Sequence, residues 1–170
     1  MDLYALPPEE FIAARDLAAK QDRSLKALRR PTVSAWLVNL LARHDGTALD
    51  ALVSLGAALA RAQRDGDAQQ LRALGEQRRR LVESTTSRAV ALAGREVTSQ
   101  VTAEVAATLE AALADPGAAD AVRSGCLVRP LAFAGFGGVD LGGALNIKTK
   151  RPHGSAGAAG PGAPPSREQG

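Results

Sequence analysis

The sequence predicts an all-α protein, a helical bundle or array of helical hairpins that ends in a Gly-rich extended segment and a disordered C-terminal tail. Three observations predict it. Apolar residues recur at steps of three and four through most of the first 125 residues, which is the period of a helix with one buried face. Asp, Thr, Pro and Gly stand between these stretches, where helices start and stop. No stretch alternates apolar and polar residues over the length of a strand.

Taken in order, Pro7-Pro8 followed by Glu9-Glu10 suits a helix start, because proline fits the first turn and acids favour the positive end of the helix dipole. Phe11, Ala14, Leu17, Ala18, Leu25 and Leu28 continue the period, so the first helix is expected over 8–29, ended by Pro31. Val33, Trp36, Leu37, Leu40 and Leu41 then give the clearest helical stripe, with Thr32 as N-cap and Asp45-Gly46 as the stop, over 32–43. Thr47 to Asp50 resembles a capping box for a helix over 48–64, and Asp65-Gly66-Asp67 is a turn with a new N-cap. The helix expected over 68–93 carries a narrower stripe of Leu71, Leu74, Leu81 and Leu92 near the 3.5-residue spacing of a coiled coil, fit for one arm of an antiparallel hairpin. Thr98 caps a helix over 99–114, and Asp115-Pro116 opens a short one over 116–123.

After Gly125 the helical period is lost. Leu127 to Phe133 is apolar and contains Pro130, which fits an extended strap laid across the helices from about residue 126. The helical domain with its strap is thus expected over 1–143, and 144–170, basic at first and then rich in Gly, Ala and Pro, as a disordered tail.

The 21 Lys and Arg exceed the 18 Asp and Glu by three, and residues 1–30 hold six of the cations against five acids. Nucleic acid is permitted by this balance and not demanded. The single cysteine, Cys126, excludes an internal disulfide and a multi-cysteine zinc site. An acidic start before any apolar run is unlike a signal peptide, and no apolar stretch approaches a membrane span. A cytoplasmic protein without membrane contact is the expectation.

Three stretches, LYALPPEEF (3–11), LRRPTVSAWLVNLLAR (28–43) and ALADPGAADAVRSGCLVRPLAFAGF (112–136), together resemble an uncharacterised family of helical proteins from high-GC actinobacteria. The resemblance spans roughly the first 140 residues, and its middle stretch is the most specific. It implies a helical fold and assigns no activity.

Catalytic chemistry finds little support in the residue types. His44 and His153 are the only histidines, and neither has carboxylates at ligand spacing, so no metal site is expected. Cys126 reads as a buried, inert thiol, and Gly135, Gly137 and Gly138 lack the Lys-Ser/Thr or strand-helix context of a phosphate loop, so no cofactor is expected. Arg78-Arg79-Arg80 points in three directions around a helix, and Trp36 lies in an apolar stripe that marks it as core. Arg23, Lys26 and Arg30 would share one helix face ahead of the Trp36 helix, an arrangement compatible with a helix-turn-helix at 23–43 that sets cations on DNA phosphates. The first expectation is therefore a non-enzymatic protein that associates with a protein partner or with itself, through the stripe Leu71, Leu74, Leu81 and Leu92. The alternative is a DNA-associated protein using Arg23, Lys26 and Arg30.

Overall fold

The computed structural model describes residues 2–132, 139, 141 and 143–145. Among them six α-helices form the molecule: α1 (Pro8–Ala18), α2 (Val33–His44), α3 (Gly46–Asp65), α4 (Ala68–Leu92), α5 (Ser99–Ala114) and α6 (Pro116–Arg123), with 3₁₀ turns at Leu3–Ala5 and Arg23–Ala27. No strand is present among the described residues. Leu127 and Leu145 form an isolated antiparallel bridge.

Side-chain caps explain why the helices begin where they do. Thr32, Asp45, Asp67, Thr98 and Asp115 each accept a hydrogen bond from the amide three residues on, relieving amides that a helix start leaves unpaired. Asp45 ends α2 and caps α3, so α3 begins at Gly46 and the cap is Asp45, not the expected Thr47. The Thr47 hydroxyl, its own contribution reduced to support, donates to the same Asp45 carboxylate at 2.8 Å. Gly66, left-handed at φ +68°, turns α3 back into α4 and makes the expected hairpin.

The expected helix over 8–29 is not continuous. It ends at Ala18, and after a turn Asp22 accepts the amide of Ser24 at 2.9 Å to start the separate 3₁₀ turn. A local side-chain bond of this kind competes with helix continuation, and no leucine between Leu17 and Leu25 supplies packing to oppose it.

α2 is the centre of the core. Every residue from Ser34 to Leu41 is buried, and Leu37, Leu41, Leu52, Val105, Leu109 and Val122 meet in one apolar cluster drawn from α2, α3, α5 and α6. The apolar segment after Gly125 crosses this cluster as the expected strap, with Leu127, Val128 and Leu131 buried. Two polar side chains hold it. Asn39 accepts the Leu127 amide at 2.8 Å and donates to the Leu127 carbonyl at 2.9 Å, and Thr108 accepts the Leu131 amide at 3.0 Å. The Val128 amide donates to Ala144 at 2.8 Å, and Ala144 is buried. Ala144 and Leu145 therefore belong to the fold and not to the expected tail; residues 146–170 lie outside the described residues.

Asn39→Ala removes both bonds and leaves a buried amide and carbonyl of Leu127 unpaired. A loss of about 2–4 kcal/mol is expected by chemical denaturation, each orphaned backbone group costing roughly 1–3 kcal/mol. A loss under about 1 kcal/mol would show that the strap is not fastened by this side chain.

Candidate interaction surface

The structure separates the three cations of the DNA reading. Arg23 and Lys26 lie on the exposed 3₁₀ turn, one turn apart, and Arg30 lies beyond it in extended chain, so the three do not share a helix face. The helix that would enter a DNA groove is α2, which is the most buried helix of the core. Residues 23–43 thus do not form the expected helix-turn-helix geometry. The indole of Trp36 is 4% exposed and donates to the Ala5 carbonyl at 3.2 Å, and the Arg95 guanidinium lies 5.0 Å from the ring centroid. Its place is the core.

The leucines of α4 are divided. Leu74 and Leu81 are half-buried against the main core and Leu71 is half-buried, whereas Leu92 is 39% exposed at the helix end. The fully buried residues of α4 are Val82, Thr85, Thr86 and Ala89, all in its second half. Residues 68–81, about 20 Å of helix at 1.5 Å per residue, carry no fully buried side chain. Together with the end of α3 they form a two-helix arm.

At the base of this arm, between the first part of α3 and the middle of α4, lies an open groove of about 590 Å³ lined by Ala51 of α3 and by Ala73, Glu76, Gln77, Arg80, Leu81 and Ser84 of α4. The α4 residues recur at three- and four-residue steps, which makes them one face, flanking the Leu71–Leu74–Leu81 seam. Small residues at Ala51, Ala73 and Ser84 allow close approach, and the exposed Glu76–Arg80 pair, 3.5 Å apart, sits on the rim. A second groove of about 500 Å³ between α4 and α5 has a mostly apolar lining, with Val82, Thr86, Thr102, Ala103 and Ala106 among its residues.

Other singled-out residues are dispersed. His44 is exposed at the last position of α2. Cys126 is half-buried, not buried as expected, because it lies at the edge of the strap where its thiol donates to the Ser124 carbonyl at 3.3 Å. Arg78, Arg79 and Arg80 are all exposed. No group of three or more His, Cys, Asp or Glu able to hold a metal stands together among the described residues. Gly135, Gly137, Gly138 and His153 lie outside them.

Arg43 is a residue that sequence reasoning passed over. Its guanidinium donates to the Gly125 carbonyl at 2.6 Å, to the Asn39 carbonyl at 3.0 Å and to both oxygens of Asp2, one at 2.8 Å. The Asp2 pair raises the guanidinium pKa above its ordinary value, and the same bond holds the Asp2 carboxyl below the usual range. Glycine suits position 125, which is left-handed at φ +62°, a conformation strained for a residue with a Cβ. Only its position near a helix end hinted at such a role. No helix is long and apolar enough to cross a membrane among the described residues. Comparisons with protein-family models, curated proteins and solved structures give no match.

Proposed function

We propose that this protein works without catalysing a reaction, by association, and that the α3–α4 arm receives an acidic amphipathic helix of another protein. The observation that carries the reading is the arm itself, where a leucine seam stays half-covered over residues 68–81 while every fully buried residue of α4 lies beyond it. A helix laid in the adjoining groove covers Leu81 and the alanines, the usual basis of helix-in-groove recognition. Between residues 61 and 83 the arm holds six arginines (Arg61, Arg64, Arg72, Arg78, Arg79 and Arg80) against Asp65, Asp67, Glu76 and Glu83. Two like-charged arms repel one another, so complementarity favours an acidic partner over a second copy.

The test is co-purification from the native host in the presence of nuclease, comparing the wild type with Ala73→Glu/Arg80→Glu. Both positions are exposed, so the fold should be kept, with only the small loss of stability that replacing the Glu76–Arg80 pair by like charges brings. The expected result is a nuclease-resistant protein partner that the double variant loses. Loss of the partner on nuclease treatment would favour the DNA reading, retention by the double variant would remove the groove, and a dimer lost in that variant would make a second copy the occupant.

A further inference from the structure

α4 and α5 pack against each other across the short connection 93–98, so they run antiparallel, and the open groove of about 500 Å³ lies between them. That volume falls in the usual range of small-molecule sites, roughly 300–1,000 Å³. Its floor is Val82 and Thr86, both buried, with Thr102 and Ala106 half-buried beside them. Thr86 is 5% exposed, and its hydroxyl has no hydrogen-bond partner among the described residues. The threonines of α5 behave differently: Thr102 donates to the Thr98 carbonyl at 3.2 Å and Thr108 to the Glu104 carbonyl at 2.8 Å, each four residues back. Thr86 makes no such bond to Val82. A buried hydroxyl left in this way is costly unless something else satisfies it. Threonine populates two χ1 wells in a helix, so this hydroxyl can turn to a molecule laid over it. Glu83 lies one turn from Thr86 on the same helix face, exposed and without an ion-pair partner among the described residues. Arg79 and Glu110 stand on opposite walls at the far end of the groove and offset each other, which leaves Glu83 as the uncompensated charge beside Thr86.

We propose that the α4–α5 groove binds a small organic amine, whose apolar body lies over Val82 and Ala106 and whose ammonium donates to the Thr86 hydroxyl beside the Glu83 carboxylate. An ammonium carries three donors and no acceptor, so it satisfies Thr86 and Glu83 together and leaves no lone pair of its own unpaired. A carboxylate on the same apolar body would meet Glu83 as a like charge, and an alcohol would leave that charge unanswered. The groove lies on a different face of α4 from the groove shared with α3, so this inference does not rest on the arm.

The probe is phenylbutylamine, with phenylbutanol and phenylbutanoate as molecules of the same apolar body and a different head. Each is titrated into the isotope-labelled full chain while the backbone amide resonances are followed by NMR. The amine is expected to shift the amides of residues 79–87 and 99–110 saturably, with a dissociation constant on the order of 1 mM, the alcohol to bind several-fold more weakly and the carboxylate more weakly still. Thr86→Val keeps the side-chain volume and removes an unpaired hydroxyl, so its melting temperature should rise while its affinity for the amine falls about tenfold, the size of a hydrogen bond to a charged group. Glu83→Gln, at an exposed position, should weaken the amine several-fold and leave the alcohol unchanged. The absence of a saturable shift, shifts confined to other helices, equal binding of the three molecules, or an unchanged affinity in Thr86→Val would each overturn the proposal. So would a lower melting temperature in Thr86→Val, because it would mean that the hydroxyl is already satisfied.

Discussion

Gly56→Ala is expected to cost about 3 kcal/mol or more of stability in chemical denaturation, although alanine is the better helix former. α3 crosses α5 at Gly56 so closely that a Cβ there falls inside the van der Waals radius of the Leu113 carbonyl oxygen, 2.9 Å from its carbon. The obstacle is backbone, which no rotamer change moves aside, so the two helices must separate and core packing at Leu52, Leu55 and Leu109 loosens with them. Gly75 supplies the control. It lies within α4 with nothing within 4 Å of a modest Cβ, so Gly75→Ala should gain roughly 0.5–1 kcal/mol. Equal effects at the two positions would remove the close crossing from the account.

Trp36→Ala is expected to cost about 3–5 kcal/mol, the range for deleting a large core side chain. The indole is almost wholly buried, closes the gap between α2 and the N-terminal segment, and gives its N–H to Ala5. Truncation therefore leaves a cavity and also an unpaired carbonyl. A change under about 1 kcal/mol would mean that the indole does not hold these two parts together.

How much of this was legible depends on whether the cause is local. The helices over 99–114 and 116–123 match their expected bounds because Thr98, Asp115 and Pro116 act within one turn of themselves. The first helix was overrun because Leu25 and Leu28 fall on its period by coincidence, while the short Asp22–Ser24 bond that breaks it leaves no mark on hydropathy. Leu127 to Leu131 reads as an apolar strap in the sequence, but nothing near Asn39 in the chain marks that side chain as the strap's fastening. In α4 the leucines stand out in the sequence, yet the buried residues are Val82, Thr85, Thr86 and Ala89, small or β-branched side chains whose burial is decided by neighbours far away in sequence. Gly56 belongs to the same kind: nothing near it in the chain announces Leu113.

The strap also sets an order on biosynthesis. Asn39 and Leu127 are 88 residues apart, so during translation the central helix emerges long before the backbone groups that complete it. Until then a nascent chain that collapses around α2 must either bury an Asn39 amide without a partner or keep that face wet. Helical chains usually mature from local contacts as they leave the ribosome. In this one, α2 reaches its final environment only after residues 127–131 have been made, and the interval between the two is the period in which the apolar faces of α2 and α5 most need shielding by a chaperone.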